Sequence, residues 1–428
     1  MDNDLSVIQD GAIAVKDKKI VSIGTAGEIS GTCSAVKEIG GTGKVAFPGL
    51  INTHTHAAMV LFRGLADDLP LKDWLEQHIW PAEGRWMSPT FVGDAVELAC
   101  LEMLKAGITV YNDMYFFGNA IGTATKKLGM RAVVGVGILD FPSSSAATSE
   151  EYFANAENFI KEWVGDELIH PSIAPHAIYT CAPENMMRAK LIAEHYDVPL
   201  HVHLAETEWE VQEIKTRYGK TPIALLESIG FLDERVLAAH CVWPTDDEIE
   251  MLSHAKVGVA HCIESNLKLA SGIAPVPKLL DAGVRVTFGT DGAASNNDLN
   301  ILSEMSTAAK VHKAQSGDPT VLNARQAMLM ATRWGAEALG LGHVTGSLEK
   351  GKAADIVIAD LKKPHLTPLY DIYSHVIYSM HAADITDVIV NGTVVVEKGK
   401  ITQADESDII QKAVVWSRKI KATNSDQT

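Results

Sequence analysis

Residues 47–56 read Phe-Pro-Gly-Leu-Ile-Asn-Thr-His-Thr-His, an apolar run that leads directly into two histidines. The apolar part and its neighbours predict a buried β-strand over residues 45–52. Because His54 and His56 are two residues apart, an extended backbone places both side chains on one face. The stretch therefore predicts a strand that carries a pair of imidazoles at its carboxyl end.

The same pattern, a short apolar strand followed by a longer helical stretch, continues through residues 47–345. Helical spacing of apolar residues is found at 92–106, 184–196, 208–228 and 246–254. Eight strands alternating with helices predict an α/β fold, a (β/α)8 TIM-like barrel, with a doubly wound open sheet as the alternative. The other seven strands are predicted at 108–113, 132–137, 171–175, 199–204, 236–240, 256–261 and 285–290.

The two ends of the chain have the pattern of antiparallel β-structure. Residues 11–24 contain two apolar runs separated by a charged turn, which predicts a hairpin. Residues 388–396 read as a strand, an Asn-Gly turn and a second strand, and a charged helical pattern follows. We therefore predict one small β-sandwich domain built from both termini, with 1–46 as its first part and 346–428, including a C-terminal helix, as its second. The barrel domain would then occupy 47–345.

Composition and charge limit the partners of this protein. The 428 residues carry 37 Lys and Arg against 54 Asp and Glu, a formal net charge of −17. Such a surface repels nucleic acids and anionic membranes, but it leaves a small polar substrate open. Neither a long apolar segment nor a secretory leader is evident, and the five cysteines form no C-x-x-C pair. These features predict a cytoplasmic location.

Six of the eight predicted strands end on a histidine or an aspartate, and the carboxyl ends of barrel strands meet at the catalytic face. His201 reads as a buried residue of a barrel layer, and the role of His261 stays open. The residues concerned are His54, His56, His176, His201, His203, His240, His261 and Asp291.

Four of these side chains suit a metal ion. Zinc binds three or four nitrogen, sulfur or oxygen ligands and keeps one position open for water when it is catalytic. Three imidazoles and one carboxylate would fit zinc, and also Fe²⁺ or another divalent ion. Glu206 lies near enough to transfer protons, and His240 would be a second contact to the activated water. The predicted ligands are His54, His56, His203 and Asp291.

Several motifs in this order resemble the amidohydrolase superfamily of metal-dependent hydrolases. They are the opening 47–56, His203-Leu204-Ala205-Glu206, His240 and Gly289-Thr290-Asp291-Gly292. The chain resembles the methylthioadenosine/S-adenosylhomocysteine deaminase family more closely, and the match spans nearly the whole chain. That resemblance depends on 63–71, 74–75, 79–83, 174–180 and 264–272.

The resemblance implies a hydrolytic deaminase of 6-aminopurine nucleosides, with one zinc ion per subunit bound by the four ligands named above. Glu206 would protonate the purine N1 while hydroxide attacks C6, Asp291 would take the hydroxide proton, and His240 would hold the hydroxide. Glu83 resembles the acceptor for the ribose hydroxyls, and His176 a second substrate contact. The products would be an inosine-type nucleoside and ammonia, and a homo-oligomer is implied.

The sequence also departs from the family pattern and leaves alternatives open. Some relatives carry an arginine near the third strand that suits the homocysteine carboxylate, whereas residues 133–137 here read Val-Val-Gly-Val-Gly. This departure favours methylthioadenosine or adenosine over S-adenosylhomocysteine. One alternative keeps the fold and the metal but acts on an s-triazine, guanine or another heterocycle. Another alternative is a barrel that has lost catalysis and serves as a scaffold.

Overall fold

The structure is a computed structural model that describes residues 5–425. Its strands form three sheets of two, eight and five strands. In chain order they are β1 (Gly11–Lys16), β2 (Lys19–Thr25), β3 (Lys44–Pro48), β4 (Leu50–Thr55), β5 (Ile108–Tyr115), β6 (Arg131–Ile138), β7 (Ile169–Pro175), β8 (Leu200–Leu204), β9 (Val236–His240), β10 (Gly258–His261), β11 (Arg285–Phe288), β12 (Ile356–Asp360), β13 (Ile385–Val390), β14 (Thr393–Glu397) and β15 (Lys400–Ile401).

The eight strands β4 to β11 form a parallel sheet in which each strand pairs with the next one along the chain. The sheet closes where β11 meets β4. There the Asp291 N–H donates to the His54 carbonyl at 3.0 Å, and the Thr53 hydroxyl donates to the Phe288 carbonyl at 2.8 Å. The predicted TIM-like barrel is therefore confirmed, and the doubly wound open sheet is excluded.

Helices cover the outside of the barrel and link its strands. The segment 208–228, predicted as one helix, is two, because Gly219 ends the first with a φ of +73° and Pro222 begins the second. The helices are α1 (Ala26–Ser30), α2 (Leu71–Trp74), α3 (Trp80–Trp86), α4 (Pro89–Lys105), α5 (Gly118–Lys127), α6 (Ser149–Trp163), α7 (Pro183–Tyr196), α8 (Glu208–Tyr218), α9 (Pro222–Ser228), α10 (Asp246–His254), α11 (Ile263–Lys268), α12 (Val276–Asp281), α13 (Ile301–Ser316), α14 (Ala324–Met330), α15 (Arg333–Ala338), α16 (Ile372–Tyr378) and α17 (Glu406–Ser425).

The predicted first strand, 45–52, is wrong as a single element. Its beginning belongs to β3, which pairs antiparallel with β12, and its end belongs to the barrel strand β4. Gly49 lies at the junction, where its N–H donates to the Asp355 carbonyl at 3.0 Å. A Cβ atom at Gly49 would lie 1.9 Å from the Thr109 hydroxyl oxygen, so only glycine fits between the two sheets.

The antiparallel sheet combines β3 with β12 to β15, and the hairpin of β1 and β2 packs against it through a shared apolar core. Both ends of the chain thus contribute to one β-structure beside the barrel. The division into 1–46, 47–345 and 346–428 stays a prediction, and residues 1–4 and 426–428 of these ranges lie outside the described residues. Among residues 5–425, no helix is long and apolar enough to cross a membrane.

Candidate active site

The barrel brings the four predicted metal ligands together at the carboxyl ends of β4, β8 and β11. The Nε2 atoms of His56 and His203 lie 3.2 Å apart. One Asp291 carboxylate oxygen lies 3.4 Å from His54 Nε2 and 3.3 Å from His56 Nε2. Ligand atoms of a tetrahedral zinc ion, with bonds of about 2.0–2.1 Å, lie about 3.3–3.4 Å apart. These three distances are therefore those expected between ligands of one zinc ion, and the nitrogens of His54, His56 and His203 all lie within 4.8 Å of one another.

The hydrogen bonds of His56 and His203 leave the Nε2 atoms of these two histidines free for a metal. His56 donates from Nδ1 to the Met114 carbonyl at 2.6 Å, and His203 donates from Nδ1 to the His176 carbonyl at 2.9 Å. The lone pairs of both Nε2 atoms therefore point into the cluster. His54 Nε2 is buried without a hydrogen-bond partner, which is costly unless an ion binds there. Burial lowers the pKa of His54 to about 4, so this imidazole is neutral at pH 7.

A second layer of polar side chains supports His54. Its Nδ1 lies 2.9 Å from Nε2 of His201, and the Asn112 amide nitrogen lies 3.0 Å from His201 Nδ1 and donates to the Thr53 carbonyl at 2.8 Å. His201 is thus buried in the barrel, as the sequence predicts, but it also orients a predicted ligand. The H-x-H spacing on β8 contained the signal for this role, because residues two apart share one face of a strand.

Asp291 is fixed by short hydrogen bonds just beyond β11. One of its carboxylate oxygens accepts from the hydroxyls of Ser265 at 2.7 Å and Ser295 at 2.9 Å, and the other accepts from the Gly292 N–H at 2.8 Å. Its backbone is left-handed, with a φ of +60°. Burial opposes ionisation, but the nearby His54 outweighs it and holds the pKa of Asp291 well below its usual range. The predicted ligand Asp291 therefore carries an ionised carboxylate in a fixed orientation.

Glu206 and His240 lie together beside the ligand cluster. A carboxylate oxygen of Glu206 is 3.7 Å from His240 Nε2, and the other accepts from the Ser271 hydroxyl at 3.1 Å. His240 Nδ1 donates to the Asn266 side-chain carbonyl at 2.9 Å, so its Nε2 points towards the cluster. Burial raises the pKa of Glu206, while the pKa of His240 is raised by the Glu206 carboxylate against the opposing effect of burial. The pair is suited to proton transfer.

The ligand cluster forms one wall of a cavity of about 150 Å³ that the two predicted substrate residues also line. Glu83 reaches it from α3, and its carboxylate accepts from the Tyr115 hydroxyl at 2.5 Å. Burial raises the pKa of Glu83 to about 7. His176 follows β7, with Nδ1 2.8 Å from the Thr180 hydroxyl and its ring centroid 4.7 Å from that of His203. The remaining lining is largely apolar and includes Met59, Trp74, Leu75, Trp80, Leu139 and Phe141.

Two other histidine clusters lie outside this cavity lining. His261 meets His312 with their Nε2 atoms 3.0 Å apart, and both side chains are buried. His365, His381 and Asp384 form a second group with the spacing of metal ligands, but both of its histidines are exposed. His365 Nε2 already bonds to the Asp384 carboxylate at 2.8 Å, whereas His54 Nε2 at the barrel mouth is buried without a hydrogen-bond partner, so the buried cluster is the better candidate metal site.

The amino-acid sequence leaves the role of Asn266 open and does not single out the other residues that complete the site. Ser265, Asn266 and Ser295 bond to predicted site residues, and Glu210 bonds to the backbone N–H groups of Ala205 and Glu206. Ser265 and Asn266 lie within the stretch 264–272 that carries part of the family resemblance. The motif was therefore recognised, but the contacts that these two residues make in the site were not predicted. No local signal identified Ser295, because its contact depends on the turn after Asp291.

Known proteins are similar to this chain in sequence and in fold over nearly its whole length. Residues 45–395 match the Amidohydrolase family. Over 417 residues the chain is 52% identical to the 5-methylthioadenosine/S-adenosylhomocysteine deaminase of Thermodesulfovibrio yellowstonii, which covers 97% of this chain and 95% of that protein.

Two solved structures show how far the similarity extends. An adenosine deaminase from Xanthomonas campestris, with bound zinc, superposes with a TM-score of 0.96 and 39% identity, covering 98% of this chain and 95% of the other. An atrazine chlorohydrolase from Arthrobacter aurescens, complexed with zinc, superposes with a TM-score of 0.91 and 28% identity, covering 97% of both chains. Purine and triazine hydrolases thus share this architecture.

Proposed function

Because the chain belongs to the Amidohydrolase family, we propose that it is a zinc-dependent hydrolase that deaminates 6-aminopurine nucleosides. The substrates are methylthioadenosine or adenosine, with S-adenosylhomocysteine as a further candidate, and the products are an inosine-type nucleoside and ammonia. One observation supports this most strongly: Glu206, beside the ligand cluster, and Glu83, on α3, line the same cavity. Two carboxylates in one cavity suit the two polar ends of a nucleoside, the base and the ribose diol.

In the proposed reaction, one zinc ion per subunit is held by His54, His56, His203 and Asp291. When bound, the ion lowers the pKa of water towards about 7 and so supplies a nucleophile at neutral pH. Hydrogen bonds from Nδ1 of His56 and His203 to backbone carbonyls set the tautomers of these two imidazoles, and Ser265, Ser295 and Gly292 fix the Asp291 carboxylate. Zinc in the adenosine deaminase and chlorohydrolase structures supports this choice of metal.

Three side chains act in the proposed reaction: two transfer protons and one holds the attacking oxygen. Glu206, whose buried carboxyl has a raised pKa, donates a proton to the purine N1 and makes C6 more electrophilic. His240, oriented by Asn266, holds the attacking oxygen, and Asp291 accepts the proton that the oxygen loses. Addition of the oxygen at C6 gives a tetrahedral centre, the proton held by Asp291 passes to the amino group, and the C6–N bond breaks to release ammonia.

The apolar lining of the cavity favours methylthioadenosine or adenosine as the substrate. Trp74, Leu75, Trp80 and Phe141 give it an apolar wall that suits a methylthio group or an unsubstituted nucleoside. His176, whose pKa burial lowers to about 3, is neutral at pH 7 and contributes a hydrogen bond to the substrate without adding charge. The homo-oligomeric state and the cytoplasmic location stay predictions.

A substrate panel tests the proposed function. Purified protein loaded with zinc should shift the purine absorbance of methylthioadenosine or adenosine and release ammonia in equal amount. If both nucleosides stay unchanged while a triazine releases chloride or ammonia, the triazine alternative is correct. If no compound reacts and the protein holds well under one zinc per chain, the scaffold alternative is correct.

Replacing Glu83 by alanine should raise KM for nucleosides much more than KM for 9-methyladenine, because only the nucleosides carry the ribose diol. We expect at least a ~10-fold increase for methylthioadenosine, since two hydrogen bonds to a charged acceptor are lost. Steady-state kinetics on both substrates measure the difference. Equal increases for the two substrates would contradict the ribose assignment.

The preference for nucleosides over 9-methyladenine should depend on pH, because burial raises the pKa of Glu83 to about 7. A carboxylate accepts from two hydroxyls only when it is ionised, so binding of the ribose should strengthen as pH rises through about 7. The ratio of kcat/KM for methylthioadenosine to that for 9-methyladenine should therefore rise with pH, since groups that serve both substrates cancel. In Glu83→Gln the ratio should be flat.

A further inference from the structure

Glu210 lies at the third position of α8, where a glutamate ordinarily caps its own helix. In a capping box the third-position glutamate accepts from the backbone N–H of the N-cap residue, here Thr207. The Glu210 carboxylate instead reaches past Thr207 and accepts from the N–H of Glu206 at 2.8 Å and from the N–H of Ala205 at 3.0 Å. The Thr207 hydroxyl still accepts from the Glu210 N–H at 3.1 Å. Only half of the usual capping box is present.

The helix α10 provides the ordinary arrangement for comparison within the same protein. There Glu248 also holds the third position, and its carboxylate accepts from the N–H of the N-cap residue Thr245 at 2.8 Å. Glu248 is buried, as Glu210 is, with exposed fractions of 3% and 1%. The two glutamates therefore share position and burial, and they differ in which backbone groups they bind.

The backbone that Glu210 binds is held on both sides. The Ala205 carbonyl accepts from the N–H groups of Val242 and Trp243, each at 3.0 Å, in the loop after β9. Ala205 itself has a φ of +50°, a left-handed conformation that residues other than glycine rarely adopt. A residue in that conformation persists only when its surroundings fix it. The bonds to Glu210 and to the β9 loop are the ones that fix the turn between His203 and Glu206.

We propose that Glu210 is a positioning residue for Glu206, whose backbone N–H and preceding turn it clamps so that the Glu206 carboxylate stays beside His240 and the ligand cluster. The expected effect on turnover rests on the proposed function, because Glu206 is the proton donor in that reaction. Glu210 does not line the cavity. It acts through the turn alone.

Glu210→Gln tests this with little change in size. The glutamine oxygen can accept from one N–H only, and its amide group faces the other N–H as a second donor. We expect kcat for methylthioadenosine to fall about 10-fold or more, because small misplacements of a catalytic group are costly. KM should change by less than about 3-fold and zinc should stay at one per chain, since neither the ligands nor the cavity wall is altered. Glu210→Asp, which keeps the charge but shortens the reach, should lie between glutamine and wild type.

Glu248→Gln is the matched control, because it removes the same kind of buried helix-capping carboxylate away from the cavity. It should lower Tm about as much as Glu210→Gln while leaving kcat unchanged. If Glu210→Gln keeps full kcat, or if its kcat falls only in proportion to lost zinc or lost folded protein, the positioning role is wrong.

Amide hydrogen exchange gives a readout that does not depend on activity. The N–H groups of Ala205 and Glu206 should exchange faster in Glu210→Gln and Glu210→Asp than in wild type, and should be unchanged in Glu248→Gln. Unchanged exchange in both Glu210 variants would refute the positioning role of Glu210, even if the protein proved inactive on nucleosides. Inactivity of the wild type on every nucleoside, with faster exchange in the Glu210 variants, would refute the proposed function and leave the clamp standing.

Discussion

Glu206→Gln should lose more than ~10²-fold in kcat for methylthioadenosine while it keeps its zinc, the usual scale for removing a general acid or base. Glutamine preserves the size of the side chain and can still accept from the Ser271 hydroxyl, but it cannot give a proton to the purine N1. Steady-state kinetics measure the loss, and metal analysis of the same sample measures the zinc.

The neighbouring Glu208 provides the control, because it lies two residues further on and is exposed. Glu208→Gln should retain turnover, which would show that lowering the charge of this loop is not enough to stop the reaction. Wild-type turnover in Glu206→Gln would remove Glu206 from the mechanism, and loss of zinc in that variant would mean that its role is structural.

His203→Asn should have the largest effect, because it removes one of the four proposed ligands. We expect well under one zinc per chain and a fall in turnover of at least ~10³-fold, since without the ion the pKa of water returns from about 7 to about 15.7. Metal analysis and the ammonia assay measure both effects, and circular dichroism checks that the barrel remains folded.

A substitution in the exposed histidine group distinguishes the two clusters that have the spacing of metal ligands. His381→Asn alters the group formed with His365 and Asp384, so it should leave both zinc and turnover unchanged. Loss of zinc in His381→Asn, with zinc retained in His203→Asn, would move the metal site away from the barrel mouth.

The barrel was predictable because its strands are short apolar runs, six of which lead into a histidine or an aspartate at the carboxyl end. The prediction went wrong where one residue changes the direction of the chain. Gly49 separates β3 from β4 inside a continuous apolar run, and its role depends on Thr109, 60 positions away in the sequence. Gly219 and Pro222 are local signals that divide 208–228, but the helical spacing on both sides concealed the break.

The candidate site was predictable to the extent that it follows strand ends. The paired histidines of β4 and β8 and the aspartate after β11 come together because parallel barrel strands all end at one face. The contacts that support these side chains do not follow from strand ends and were not predictable in the same way. Glu210 occupies an ordinary capping position, and only the three-dimensional path of the turn before α8 shows that its carboxylate binds Ala205 and Glu206.

Anomalous X-ray scattering at the zinc edge, from crystals of the zinc-loaded protein, locates the ion directly. We expect one strong peak per chain, about 2.0–2.2 Å from the Nε2 atoms of His54, His56 and His203 and from a carboxylate oxygen of Asp291. A peak at another group of side chains, or none at the barrel mouth in protein that turns over nucleosides, would contradict the account.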